Sequence, residues 1–333
     1  MINENSPSNV FTLRQHEFQA IPGCPWVYWA NNKVRELFLD LEKLDSIIQP
    51  KHGLTTTQNF RFVRLWWELQ FKYLDQNLKW FPYMKGGGMI KWYGRQDTFV
   101  NWAKDGAEIK ENILIHYPYL HGKWEWVVTN YEFYFREGIT WSLVSSVGFS
   151  ARYLPPGFIF DVGGSSGFPE TPLILTALVV MNSLWMNYVL RLLNPTINFQ
   201  VGDISRVPFK NPSAIVKNSF DNLAQQCIHI QQNNSLHSEY TRDFNSPADW
   251  FIGKLLIERN NLRMAELESE INQQVYSLYE ISLEDRQAIE RELAGGMTIA
   301  EENEKVNSEE EDESEIETGG NRQSLALAWL SYA

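Results

Sequence analysis

The chain has 333 residues, a mass of 38.8 kDa and a formal net charge of −12. Its hydrophobic share of 44% is enough for a sizeable core, which excludes a wholly disordered protein. The negative charge argues against a nucleic-acid partner, because phosphates repel an acidic protein. However, residues 301–317 alone carry a net charge of −9, so the rest of the chain carries only −3. The charge therefore does not exclude nucleic-acid binding by the rest of the chain.

The two cysteines and the N-terminal segment indicate the cellular compartment. Cys24 and Cys227 are too few for a disulfide framework or a four-ligand zinc site, and they fit a reducing environment. Residues 1–20 are polar, lack a secretory signal and form a predicted lead-in. We therefore expect a cytoplasmic protein.

The N-terminal half contains a predicted helix followed by predicted strands. Asn31 or Asn32 is the predicted N-cap, because apolar residues follow at helical spacing as far as Ile48. Residues 123–135 and 157–162 are rich in β-branched and aromatic side chains, which is typical of strands.

A long apolar run at residues 172–194 predicts a helix between Pro172 and Pro195. Because residues 173–190 contain no charged side chain, a membrane span is an alternative. Polar residues interrupt the run and no basic cluster flanks it, so a buried helix is favoured and no membrane partner is expected. Residues 195–209 predict a strand and a turn.

Two cap-like patterns predict helices in the C-terminal part. Ser246 with Asp249 opens a predicted long helix. Ser282 with Asp285 opens a short one, which is expected to end near Leu293. An acidic run and a final apolar stretch follow.

The chain contains neither a Walker A nor an HExxH sequence, and its six histidines show no metal-ligand spacing. We therefore predict no catalytic residue and no metal ligand. The glycine cluster at residues 160–168 superficially suits a nucleotide loop, but no acidic residue follows at the spacing that a ribose requires. A tight turn joining a strand to a helix is favoured.

Residues 85–102 (KGGGMIKWYGRQDTFVNW) interleave cations with aromatic side chains. The region from Arg61 to Arg152 is mildly basic, with 12 Lys and Arg against 9 Asp and Glu. Such a set suits the phosphates and bases of a nucleic acid. It also suits a carbohydrate, or a protein core whose lysines extend to the surface. From the residues alone, a purely structural role is favoured.

Six blocks of the sequence occur in the order of a known family. They are FQAIPGCPWVYW (18–29), KHGLTTTQNFRFVRLWWE (51–68), KGGGMIKWYGRQDTFVNWAKDGAEIK (85–110), FREGITWSLVSSVGFSARYLPPGFIFDVGGSSGF (135–168), LNPTINFQVGDISRVPF (193–209) and LESEINQQVYSLYEIS (267–282). Together they resemble the C-terminal, DNA-recognition part of the PglX-type adenine-specific DNA methyltransferases of BREX phage-defence systems, which are similar to type IIG restriction–modification methylases.

Two departures from the family pattern fall within these blocks. Arg95 stands where the family usually has the asparagine of a WYGN sequence, and Gln58 lies where it has a GDN-like loop. These departures either remove the family's contacts at Arg95 and Gln58 or make the two positions variable determinants of specificity.

The resemblance implies S-adenosylmethionine as the cofactor of the parent enzymes, but none bound in this chain. The Asn/Asp-Pro-Pro-Tyr/Phe tetrapeptide that holds a flipped adenine is absent from the sequence. In the family, the methylase domain precedes the part resembled here. We therefore expect a recognition half, whether a fragment, a split subunit or an isolated piece, without methyl-transfer activity of its own. The implied partners are double-stranded DNA and a separate methylase-domain chain or other BREX proteins, in a prokaryotic cytoplasm.

The predicted fold is α+β, with a mixed, mostly antiparallel recognition domain followed by a long-helix segment. The predicted divisions are a lead-in (1–20), a target-recognition-like domain (21–210), a variable connector (211–245), a helical segment (246–293), an acidic disordered linker (294–323) and the start of a truncated C-terminal segment (324–333).

The resemblance and the basic, aromatic block together give candidate DNA contacts. We expect phosphate contacts from Lys85, Lys91, Arg136 and Arg152, base-edge contacts from Arg95, Asn101, Asn198 and Gln200, and a packing or stacking wall of Trp92, Tyr93, Trp102 and Trp141. The first alternative is a non-catalytic interaction module of a BREX-type complex that does not itself bind DNA. An enzyme of another class has no nucleophile–base set to support it, and a carbohydrate-binding protein fits less well with the cysteine usage.

Overall fold

The computed structural model of the chain describes residues 14–69 and 79–307, and the side chains of its last helix up to residue 295. Residues 1–13 of the predicted lead-in, the predicted linker beyond residue 307 and the segment at 324–333 lie outside the described residues.

The described strands form two four-stranded sheets and one short pair. They are β1 (Glu42–Lys43), β2 (Ile48–Lys51), β3 (Val63–Leu65), β4 (Trp80–Met84), β5 (Thr98–Asn101), β6 (Gly138–Trp141), β7 (Ala151–Leu154), β8 (Ile159–Phe160), β9 (Ser166–Pro169) and β10 (Pro208–Phe209). Sheet I has the order β2-β9-β6-β7, sheet II has the order β3-β5-β4-β8, and β1 pairs with β10. Among these strand pairs, only that of β4 with β8 is parallel.

The helices become long towards the C-terminal end. They are α1 (Asn32–Asp40), α2 (Asn59–Phe62), α3 (Ala103–His116), α4 (Ile174–Met181), α5 (Leu184–Leu193), α6 (Val201–Ser205), α7 (Ala214–Ser235), α8 (Gly253–Leu278) and α9 (Leu283–Asn307). The predicted α+β class, with mostly antiparallel sheets followed by long helices, is therefore confirmed.

The first helix begins where the sequence predicts and ends earlier. The side chain of Asn31 accepts a hydrogen bond from the backbone amide of Val34 at 2.8 Å, so Asn31 is the N-cap. The helix ends at Asp40 rather than near Ile48, because β1 pairs with β10 and β2 pairs with β9. Pairing with distant strands thus overrides the local apolar periodicity.

The prediction of a strand over residues 123–135 is wrong. Short 3-10 turns occupy Trp124–Trp126 and Tyr131–Phe133. Two aromatic rings of this segment lie beside Lys110, whose Nζ atom is 4.2 Å from the ring centre of Trp124 and 6.0 Å from that of Tyr131. Aromatic side chains reflect packing against a neighbour, and here that neighbour is helix α3 rather than a paired strand.

The apolar run at 172–194 is two helices instead of one. Helices α4 and α5 are bent by 71° relative to each other, and the hydroxyl of Ser183 caps α5 by accepting from the backbone amide of Met186. No single helix in the described part of the chain is long and apolar enough to cross a membrane, although this bent pair passes the same test by length and composition. Both helices contribute buried side chains to the core. The predicted strand and turn at 195–209 instead contain the short helix α6, and the only strand there is the two-residue β10.

Three further differences concern the C-terminal helices. Helix α8 begins at Gly253, with Ile252 as its N-cap and no side-chain cap, rather than at the predicted cap Ser246. The predicted connector at 211–245 contains α7, which packs between α4 and α8 and buries Phe220 and Cys227. The apolar face of this helix is narrow and lies among many Asn and Gln residues, so the sequence pattern does not reveal the helix. Helix α9 is capped by Ser282 as predicted but continues to Asn307, through a stretch that contains three glutamates and two alanines, which favour helices.

The buried apolar side chains form two clusters. One is built from sheet I and helices α4, α5, α7 and α8, and it contains the fully buried Trp92, Trp141 and Trp185. The other is built around sheet II and α3. The aromatic block of the sequence is therefore divided between both cores.

Glycine backbones touch where the chain passes between the two sheets. A Cβ atom on Gly53 would lie 2.2 Å from the carbonyl oxygen of Phe160. A Cβ atom on Gly86 would lie 2.0 Å from the carbonyl oxygen of Gly163, and Gly164 packs on the end of β4. We call these contacts the glycine junction. Only glycine leaves room for such close backbone approach.

We predict that Gly86→Ala destabilises the protein by about 1–3 kcal/mol, because the new methyl group forces the backbone of one glycine loop away from the other. Gly202→Ala is the matched control, since a Cβ atom there meets open space and alanine favours helix α6. Urea denaturation of both variants measures the difference. Equal midpoints for the two variants would contradict a tight glycine junction.

We also predict that Trp141→Ala costs about 3–5 kcal/mol of stability, because it empties a fully buried site and leaves the carbonyl of Phe199 without its indole donor. Trp126→Ala is the control, since 67% of Trp126 is exposed. The free energies of unfolding of the two variants, compared with wild type, give the result. A similar loss of stability in both variants would contradict the prediction that the buried tryptophan contributes more than the exposed one.

Candidate nucleic-acid interface

Four loops, at residues 85–95, 142–147, 161–165 and 195–200, meet beside the glycine junction. The hydroxyl of Ser142 accepts from the amide of Gly87 at 3.1 Å. The amide of Leu143 donates to the carbonyl of Gly163 at 2.8 Å, and the carbonyl of Leu143 accepts from the amide of Phe199 at 2.7 Å. These bonds join the four loops into one surface, which we call the loop surface.

Asp161 accounts for the glycine cluster at 160–168. Its carboxylate accepts from the amide of Gly163 at 2.7 Å and from the hydroxyl of Tyr83 at 2.5 Å. Burial, with the negative charge of Asp161, holds the pKa of Tyr83 well above its usual value, so the hydroxyl stays a donor. The cluster forms a tight turn as expected. However, it joins β8 to β9, and helix α4 begins only after β9.

The aromatic residues of the predicted wall are core residues. Trp92, Trp102 and Trp141 are at most 3% exposed, and Tyr93 is 8% exposed. Three of them also use their polar atoms internally: the indole of Trp92 donates to Glu268 at 2.8 Å, that of Trp141 donates to the carbonyl of Phe199, and the hydroxyl of Tyr93 donates to Asp243. The packing interpretation of the wall therefore fits these side chains, whereas stacking on bases does not.

Asn101 and Arg152 are also buried, which contradicts the expected contacts with a base edge and a phosphate. Asn101 donates to Glu108 and accepts from the amide of Ala103, so it fixes the start of α3. The guanidinium of Arg152 donates to the carbonyl of Lys85 at 2.7 Å. Burial and the positive charge of Arg95 lower the pKa of Arg152 to about 9, which leaves it cationic at neutral pH.

Lys91 and Arg95 are half-buried, and each has a carboxylate partner. The Nζ atom of Lys91 lies 2.9 Å from Oε2 of Glu268, so this lysine is tied to helix α8. The Nη1 atom of Arg95 lies 3.3 Å from Oδ2 of Asp97. Asp97, only two residues after Arg95, is a partner that the sequence analysis did not single out.

The structure places the remaining candidates in two places. Lys85, Asn198 and Gln200 lie on the loop surface with Arg95 and are half-buried or exposed. Arg136 is exposed at the opposite end of β6, with its guanidinium carbon 4.9 Å from the ring centre of Phe133. Four of the candidates therefore share one accessible surface, and Arg136 is separate from it.

A groove of about 500 Å³ lies between the loop after β2 and the turns after α3. Tyr119 and Trp126 line it, and both are 67% exposed. His52 lines its floor, and burial lowers the pKa of this histidine, so it is neutral at pH 7. Flat apolar faces beside hydroxyl groups suit a planar ligand such as a base. The run of threonines at residues 55–57 is the sequence pattern that points to this groove.

The described residues contain no group of three or more His, Cys, Asp or Glu side chains placed to hold a metal ion. Both cysteines are free, with Cys24 exposed and Cys227 buried. Burial raises the pKa of the Cys227 thiol to about 12, so this thiol is unreactive at neutral pH.

The chain is similar in sequence to two adenine-specific methyltransferases and similar in fold to a restriction-modification enzyme. No protein-family model matches the chain. It is 36% identical over 226 residues to the adenine-specific methyltransferase BrxX of Escherichia coli O9:H4 (strain HS), which is 66% of this chain and 17% of that protein. It is 38% identical over 210 residues to the adenine-specific methyltransferase PglX of Lacticaseibacillus casei (strain Zhang), which is 60% of this chain and 17% of that protein.

The fold is shared with the Type IIL restriction-modification enzyme MmeI, whose structure was solved in complex with DNA. The TM-score is 0.53 at 8% identity, over 78% of this chain and 36% of MmeI. The resemblance that the sequence blocks indicated is confirmed. Over about two thirds of its length, the chain is similar to one segment of the adenine-specific methyltransferases BrxX and PglX, and it spans 17% of their length.

Proposed function

We propose that this chain recognises a DNA target for S-adenosylmethionine-dependent N6-adenine methylation in a phage-defence system of the BREX or restriction–modification type. The observation that carries the proposal is the fold. Over 78% of the chain, it matches the fold of a restriction-modification enzyme whose structure was solved in complex with DNA. The identity with BrxX and PglX supports the methylation context.

The loop surface is the proposed contact with DNA. It brings together a lysine, an arginine and two amide side chains, which are the donors that suit phosphates and base edges. Lys85 is the proposed phosphate contact, and Arg95, Asn198 and Gln200 are the proposed base-edge contacts. Arg136 is a further phosphate contact only if the duplex extends to the other end of β6.

Methyl transfer is proposed to need another polypeptide segment. The sequence lacks the tetrapeptide that holds a flipped adenine, and the chain matches only 17% of each methyltransferase. A methylase domain, supplied by a separate chain or by a longer form of this one, would bind S-adenosylmethionine.

A second proposed function is that of a protein-interaction module in such a complex. The segment that opens α8 exposes a cluster of large apolar side chains, with Trp250, Phe251 and Ile252 exposed by 50%, 90% and 59%. Exposed apolar clusters of this kind are typical of protein–protein contacts.

We predict that Lys85→Ala weakens binding to a duplex of random sequence and lowers the salt dependence by about one released counterion, because one phosphate contact is lost. Lys254→Ala is the control, since this exposed lysine lies on α8, away from the loop surface. Fluorescence anisotropy at several salt concentrations measures both quantities. If wild type binds no duplex even at low salt, the interaction-module function is the better account.

We also predict that the chain alone transfers no methyl group to DNA, because the adenine-binding tetrapeptide is absent. Incorporation of labelled methyl groups from S-adenosylmethionine into duplex DNA is the measurement. Incorporation above the level of a heat-denatured sample would contradict the assignment of the chain to recognition alone.

A further inference from the structure

Arg95 is held in an unusual backbone conformation on the loop surface. Its φ angle is +60°, in the left-handed region that non-glycine residues rarely adopt. Its side chain is 31% exposed, and one edge of the guanidinium faces the carboxylate of Asp97. Strained residues of this kind concentrate at functional sites, where the surrounding structure keeps them in place.

The neighbouring backbone is shaped around this guanidinium. Gly87 has a φ angle of +116°, and a Cβ atom there would lie 2.2 Å from Nη2 of Arg95. Any other residue at position 87 would therefore displace the arginine. The guanidinium therefore lies with Nη1 beside the carboxylate of Asp97 and with Nη2 in the space that Gly87 leaves open.

Arg152 is a second positive charge that interacts with Arg95 and Asp97. It is fully buried, and its positive charge opposes burial of the guanidinium of Arg95. Four buried atoms here, Nε of Arg95, Oδ1 of Asp97, and Nε and Nη1 of Arg152, have no hydrogen-bond partner within the described part of the chain. A half-exposed ion pair contributes little to stability, so stability alone does not account for this costly cluster.

The charges favour a base edge over a phosphate as the target of Arg95. A phosphate oxygen at this guanidinium would also lie close to the carboxylate of Asp97, which repels an anion. The edge of guanine is neutral and presents two acceptors, O6 and N7, whose spacing matches the two nitrogens of a planar guanidinium. The carboxylate of Asp97 holds Nη1 and limits rotation of the guanidinium. Because Nε is buried, the end of the guanidinium that carries Nη1 and Nη2 is the part left for the base.

We infer that Arg95 reads a guanine in the major groove of the DNA target, with Asp97 and Gly87 as positioning residues. This inference rests on the proposed function and adds the base that the loop surface selects. Arg95 is then the specificity-determining residue for one G·C pair of the target.

The test is selection of bound duplexes from a randomised library by wild type, Arg95→Ala, Arg95→Lys and Asp97→Asn, each first checked for an unchanged thermal midpoint. Wild type is expected to enrich a motif in which one guanine is preferred by about 10-fold or more. Arg95→Ala loses that preference, and the other positions keep theirs. Asp97→Asn reduces the preference at the same position only.

Arg95→Lys separates base reading from charge. It keeps the positive charge and loses the planar fork, so the salt dependence stays and the preference for guanine falls. Arg263→Ala is the matched control, because it removes an arginine–carboxylate pair on α8. This control keeps the full motif.

Three results would overturn the inference. An unchanged motif for Arg95→Ala refutes guanine reading and leaves the proposed function intact. An equal loss of affinity for all sequences, together with a weaker salt dependence, makes Arg95 a phosphate contact instead. Absence of any duplex binding by wild type refutes the proposed function and the inference with it.

Discussion

The architecture depends on the close approach of glycine backbones between the two sheets. At the glycine junction, the chain before β5 and the chain between β8 and β9 come within a distance that no side chain could occupy. The carboxylate of Asp161 and the hydroxyl of Tyr83 satisfy polar groups at the same place. As a result, loops that are far apart in sequence end on one surface, and that surface carries the candidates for DNA contact.

Sequence patterns located features that depend on neighbouring residues. Asn31 and Ser282 cap their helices as predicted, because a cap needs only a side chain and an amide three residues away. Local patterns do not predict the structure at 123–135 or at the end of α1, because contacts with distant residues decide it there. No pattern within 123–135 indicates that the rings of Trp124 and Tyr131 will lie beside Lys110.

For the candidate site, the sequence predicts which types of residue occur, but it does not predict which of them reach the surface. Cations and aromatic residues alternate between Lys85 and Trp102, but the strand pairs and cores turn Trp92, Trp102 and Asn101 inward and leave Arg95 partly exposed. Whether a tryptophan stacks on a ligand or fills a core depends on which face of a sheet it occupies. The roles of the exposed residues are still predictions, because burial shows only which side chains a partner is able to reach.

The carboxylate of Glu268 has a mechanical consequence. It lies within helix α8 and binds both Lys91 and Trp92, the residues that lead directly into the turn of Arg95. A helix of 26 residues is a stiff rod about 39 Å long. Since the exposed apolar cluster lies at the N-terminal end of that rod, a protein that pulled or rotated α8 there would apply its force, through the side chain of Glu268, to the loop proposed to read the DNA.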